Sequence, residues 1–208
     1  MKIKIRVLLI LAIGVLGYLC AKSILDPIHF EEEKGKRDQM VQNALMAIRS
    51  VEVEFKNQNG HYTASWDTLI DFVENGKISE IVKEGMLTDE QLQKGMTEKE
   101  AVKKGLIKRD TSYIGVKEKL FGNDFEAKKM KYIPQTEQIF ELSVGEVMTA
   151  SGIGVSVFEC KAPYEVYLKG LNEQEVVNAI DYAKKRDKYA GMKVGSITEI
   201  NNNAGNWE

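Results

Sequence analysis

Residues 3–25 read IKIRVLLILAIGVLGYLCAKSIL, and this stretch decides how the rest of the chain is placed. Lys2, Lys4 and Arg6 introduce an uninterrupted apolar run from Val7 to Ala21, which Ile3, Ile5, Ile24 and Leu25 extend on both sides. A helix of this length, at about 1.5 Å per residue, matches a hydrocarbon core of about 30 Å. Lys4, Arg6 and Lys22 stand near its ends, where long cationic side chains reach the headgroups. A cleaved signal peptide shares the basic start and short apolar centre. Its cleavage triplet would be Ala21-Lys22-Ser23, with a lysine in the middle, and Leu19 is too large to precede a lipoprotein cysteine at Cys20. The reading is an uncleaved single-pass anchor that meets lipid through residues 3–25.

Charge sets the orientation. The flank before the run holds only cations, whereas Asp26, Glu31, Glu32 and Glu33 mix with Lys34, Lys36 and Arg37 after it. The positive-inside rule then places the N-terminus in the cytoplasm and the remainder outside it, as in a bacterial inner-membrane protein with a periplasmic domain. Residues 1–27 carry four cations and one acid, a net of +3, which leaves −5 on the rest of a chain whose net charge is −2. A mildly acidic domain excludes a nucleic-acid partner on electrostatic grounds. With 208 residues, 43% hydrophobic and 29% charged, the chain suits an anchor plus one domain of ordinary composition. The two cysteines, Cys20 and Cys160, read as small buried hydrophobes.

Beyond the anchor, Val41, Ala44, Leu45, Ile48, Val51 and Phe55 recur at three- and four-residue steps with polar residues between them. That period predicts an amphipathic helix over 28–57, entered or kinked at Pro27 and closed by Asn59-Gly60. A short second helix follows, with Leu69, Ile70, Phe72 and Val73 on its apolar side and Asn75-Gly76 at its end. Residues 78–109 read as a helical insertion. Thr88 with Gln91 and Thr97 with Glu100 form capping boxes, and helices are expected over 88–94 and 97–104.

The C-terminal part, residues 110–208, alternates. Phe140, Leu142 and Val144, then Ile153, Val155 and Val157, then Tyr164, Val166 and Leu168 predict strands of an antiparallel sheet of three or four, with a bulge or bend at 158–160. Asn172 caps a last helix, acidic at its start and basic at Lys184, Lys185 and Arg186. Val194–Ile200 reads as a final strand before a polar tail carrying Trp207. The fold class is thus α+β, a transmembrane helix continuing into a long amphipathic helix packed on the antiparallel sheet, with a small helical insertion and a C-terminal helix, divided as anchor 1–27, helices 28–77, insertion 78–109 and sheet with C-terminal helix and tail 110–208.

The stretch ALMAIRSVEVEFKNQNGHYTASWDTL, residues 44–69, resembles type IV pilin-like proteins, particularly the pseudopilins of type II secretion. The matching positions are Ala44, Ala47, Ile48, Glu52, Phe55, Asn59, Gly60, Tyr62 and Leu69. The resemblance implies a long N-terminal helix packed on an antiparallel sheet, and subunits that assemble through their membrane helices with copies of themselves or with other membrane subunits. The family's glycine before the processed residue and its glutamate early in the apolar stretch have no counterpart between Lys2 and Ala21.

No residue pattern supplies chemistry. His29 and His61 lie in no metal-ligand spacing. Ser151-Gly152-Ile153-Gly154 lacks the helix and Lys-Ser/Thr of a phosphate loop and reads as a hairpin turn. A non-enzymatic protein without metal or cofactor is expected. Asp26, an acid at the end of a membrane helix, supports an alternative as a component of an ion-driven complex. A tethered module that binds a ligand or the cell wall is another. The expected assembly residues are Val41, Leu45, Ile48, Val51 and Phe55, with Trp207 as a possible interface side chain.

Overall fold

Alanine, leucine and unbranched charged residues are frequent from the anchor onward, and helix α1 runs without interruption from Lys2 to Asn59. Pro27 and Gly35 lie within it. The apolar N-terminal stretch continues directly into the amphipathic helix, as expected, and Pro27 inside it leaves one intrahelical hydrogen bond missing. The computed structural model describes residues 2–84, 97, 100 and 108–208. The chain divides into two units, residues 1–65 with 129–208, and residues 66–128.

In the first unit the second half of α1 packs on a three-stranded antiparallel sheet of order β3-β4-β5, comprising Glu141–Met148, Gly154–Pro163 and Gly191–Gly195. Pairing of Val144 with Phe158, Leu142 with Cys160, and Cys160 with Val194 sets these side chains on one face. Phe158, Cys160, Ala162 and Val194 there are buried, as are Val41, Leu45, Ile48, Val51 and Phe55 of α1. Tyr62, just past the helix, closes the layer against Phe158 with ring centroids 4.8 Å apart. The opposite sheet face holds Glu159 between Lys161 and Lys193, at 3.1 and 2.9 Å.

The β3–β4 turn is the hairpin expected at Ser151-Gly152. Thr149 N–H donates to Ile153 O at 2.9 Å, and Gly152 takes φ +77°. The expected bulge at 158–160 is absent, since the β3–β4 register runs unbroken from Glu141↔Lys161 to Met148↔Gly154. Tyr164–Leu168 is also not a strand: Tyr164–Tyr167 forms a one-turn helix, α4, because Pro163 ends the ladder in extended geometry and Leu168 N–H turns back to Tyr164 O. Asn172 caps α5, Glu173–Lys184, as expected, with its side chain accepting from Gln174 and Glu175 N–H. The last strand occupies Gly191–Gly195 rather than 194–200, and Gly205 bridges to Val194, so the tail lies along the sheet edge.

In the second unit, helix α2 spans Trp66–Asn75 and buries Leu69, Ile70 and Val73. Gly76 ends it where a side chain has no room, a Cβ there falling 2.9 Å from both Phe72 and Val116 side chains. Strands β1, Lys77–Glu84, and β2, Lys108–Gly115, then pair antiparallel, and α3 spans Val116–Leu120. The insertion therefore begins and ends as a β-ribbon, which was expected to be helical. The helices expected over 88–94 and 97–104 lie outside the described residues, apart from Thr97 and Glu100. These two make the reciprocal capping box, with Thr97 N–H donating to Glu100 Oε2 at 3.2 Å and Glu100 N–H to Thr97 Oγ1 at 3.4 Å.

Candidate functional site

Two features of α1 stand apart from ordinary packing. The first is its apolar N-terminal stretch. An 18-residue window near the N-terminus has a mean hydropathy of 1.8, and none of it is covered by protein. Ile10, Leu11, Ile13, Leu16 and Tyr18 are each at least 60% exposed. Large side chains of this kind gain about 1.5–3 kcal/mol each on burial, so a bare stripe of this length calls for an apolar surrounding. Gly14 and Gly17 form a notch in it, where an added Cβ meets nothing within 4 Å. Cys20 is exposed on the same segment.

The second feature is Glu52. It sits on the buried face of α1, fully enclosed. Its Oε2 accepts from Thr63 N–H at 3.3 Å, while among the described residues Oε1 has no partner. Burial pushes its carboxyl up to about 7, against the smaller opposite effect of the Thr63 N–H. The carboxyl is thus held near neutrality, half protonated in neutral solution. Cys160 lies close enough for the Glu52 charge to help raise its thiol further, after burial itself. The thiol stays protonated and inert.

Polar contacts also tie α1 to the sheet unit just beyond the apolar stretch. Arg37 Nη1 donates to Tyr167 O and Lys169 O at 2.8 and 2.9 Å. Tyr167 OH donates to Asp38 Oδ1 at 2.6 Å, and Asp38 also accepts from Lys34 at 2.8 Å. Further along, Arg49 holds Glu208 at 2.6 Å, and Asn203 donates to the Tyr62 hydroxyl at 2.9 Å.

The residues singled out in the sequence fall as follows. Val41, Leu45, Ile48, Val51 and Phe55 come together, but turned toward the domain's own sheet; the exposed apolar side chains of this half of α1 are Met46 and Val53. Trp207 is half-buried and folds over Gly205 within the tail, where the indole leaves no room for a Cβ. Asp26 lies with Lys22, His29 and Glu33 around a shallow cleft that Leu171 and Asn172 complete. His61 packs its ring edge-on against Phe55 at 5.8 Å. Among the described residues no group of three His, Cys, Asp or Glu side chains is placed to hold a metal ion. From sequence, Glu52 is named only as a matching position of the resemblance and is given no place in the core. Its signal was its spacing, since 41, 45, 48, 52 and 55 form the tightest helical stripe and Glu52 is the only acid on it.

Searches of protein-family models, curated proteins and solved structures with this chain return no match.

Proposed function

We propose that this chain is a membrane-anchored, non-enzymatic subunit of a pilin-like or secretion-type assembly, with its basic N-terminus in the cytoplasm and its α+β domain outside a bacterial inner membrane. The observation that carries the reading is the continuity of α1. One helix of 58 residues supplies both the bare apolar stretch and the central layer of the sheet unit. Anchor and domain are therefore coupled mechanically, as a subunit that packs through its membrane helix requires. Inward-turned Val41, Leu45, Ile48, Val51 and Phe55 serve to hold the domain on this helix. Contact between subunits then falls to the uncovered segment around Gly14 and Gly17, where small residues let backbones approach.

Cys20 provides the test. It is exposed on the anchor, whereas the only other cysteine, Cys160, is buried in the sheet. A bis-maleimide applied to membranes holding the full chain is expected to give a covalent dimer that Cys20→Ser abolishes and Cys160→Ala does not. A chain that stays in the membrane pellet through alkaline carbonate yet never cross-links, at Cys20 or at cysteines placed singly along residues 10–24, overturns self-assembly. Release by carbonate overturns the anchor itself. A second reading, a tethered ligand-binding module, is favoured by one observation, the cleft between α1 and α5.

A further inference from the structure

The first unit contains a cleft of about 590 Å³ between α1, α5 and the edge of β5. Its size falls within the roughly 300–1,000 Å³ of small-ligand sites. Phe30 forms part of its wall and is itself buried, and Tyr164, Tyr182 and Tyr189 add three more rings. Three cations enter it, Lys34 from α1 with Arg186 and Lys188 from the loop after α5. The loop is shaped for this. Asp187 takes φ +53°, a left-handed conformation uncommon outside glycine, and Lys188 N–H returns to Ala183 O at 3.0 Å. That reversal sets Arg186 and Lys188 on the same side.

Two of the three cations are not used up internally. Lys34 is held by Asp38 at 2.8 Å and lies over the Tyr164 ring at 5.3 Å. Arg186 lies over the Tyr182 ring at 4.7 Å, and among the described residues neither Arg186 nor Lys188 has a carboxylate within ion-pair distance. Glu31, Glu175 and Asn178 line the cleft too, as acceptors. With Lys34 paired to Asp38, Arg186 and Lys188 are the two cations left open to a ligand. Two open cations beside tyrosine rings suit a short ligand that carries carboxylates among many hydroxyls. A pyranose has an apolar C–H face that stacks on tyrosine, while its hydroxyls donate to carboxylates and amides.

We propose that this cleft binds a short acidic saccharide, its carboxylate on Arg186 and Lys188 and a sugar ring against Tyr182. The inference rests on the second of the two readings above and does not require self-assembly. A lipid headgroup is disfavoured by position if Leu25 ends the anchor. Lys34 stands nine residues on, about 13 Å along the helix, whereas headgroups extend about 5–8 Å beyond the hydrocarbon.

The test uses the full chain in detergent micelles and isothermal titration calorimetry with trigalacturonate, with maltotriose as the neutral sugar and inorganic phosphate as the bare anion. Trigalacturonate is expected to bind with Kd below about 1 mM, at least tenfold more tightly than either control. Arg186→Glu and Tyr182→Ala, both at exposed positions, are each expected to weaken it at least tenfold while leaving the far-ultraviolet circular dichroism unchanged. Absence of trigalacturonate binding overturns the proposal, as does equal affinity for phosphate. Binding that both variants leave intact places the ligand elsewhere and also overturns it. Vesicles of phosphatidylcholine with and without phosphatidylglycerol complete the design. Trigalacturonate affinity lost only in the anionic vesicles makes the cleft a headgroup site and refutes the saccharide. Cys20 cross-linking is read separately, so failure here leaves the assembly proposal to its own test.

Discussion

Replacing Glu52 with glutamine should change how the domain's stability depends on pH, and the size of the effect follows from its surroundings. The carboxyl is fully enclosed, with one oxygen on Thr63 N–H and the other, among the described residues, unpartnered. Burial raises it from its ordinary 4.5 to about 7. The folded state therefore holds a proton that the unfolded chain releases near 4.5. A raised carboxyl gives stability that is fully present below about 4.5 and is lost as pH climbs through about 7. At about 1.36 kcal/mol per pH unit, the full loss is about 3 kcal/mol. For a domain of this size that is about 6–12 °C in melting temperature. Glu52→Gln keeps the shape and removes the ionisation. Thermal melts of the full chain in micelles, followed by circular dichroism between pH 5 and 8.5, should show native stability falling toward the alkaline end. The variant should stay nearly level there and melt higher than native at pH 8. A variant whose melting temperature runs parallel to the native one across this range would refute the reasoning, since it would mean that the buried oxygen finds compensation when charged.

Two further outcomes are expected. Glu159, buried between Lys161 and Lys193, behaves oppositely to Glu52: burial raises it, but the hydrogen bonds and charges of Lys193 and Lys161 outweigh that and hold it below its ordinary value. Its contribution is present above about 4.5 and is lost as pH falls through its depressed value, so in melts below pH 4.5 Glu159→Gln should lose less stability than the native chain does. Gly195→Ala should destabilise by at least about 1–3 kcal/mol in urea unfolding, because φ there is +73° and a Cβ would press on the Phe158 carbonyl beside the core; an unchanged midpoint would argue against that packing.

Much of this architecture is legible in the residues because strong local signals agree with the final packing. The 41–55 stripe reports a surface that the sheet buries, and the Asn172 cap reports a helix start made by its own side chain. The readings that differ from the structure share a cause. Tyr164-Glu165-Val166-Tyr167-Leu168 alternates like a strand, yet Pro163 offers no N–H to continue the ladder, and Tyr164 N–H bonds Ala190 O from another segment. The β1–β2 ribbon is stabilised by pairing across more than twenty intervening residues, and nothing within Lys77–Glu84 alone shows period two. Local helix signals at Thr97 and Glu100 dominated there. Glu52 was hidden for the reverse reason: a charged residue type suggested the surface, while its helical phase pointed inward. The cleft is a product of tertiary placement, since Lys34 and Arg186 are 152 positions apart.

Pro27 has a mechanical consequence. By withholding an N–H it leaves the carbonyl of Ser23 without its intrahelical donor, two residues before Leu25 closes the apolar stretch. A sideways load on the domain would therefore bend α1 most readily at this turn and at Gly35, where its backbone is weakened. The head can then lean without tearing its clamps at Arg37 and Arg49, and without dragging the apolar segment out of register.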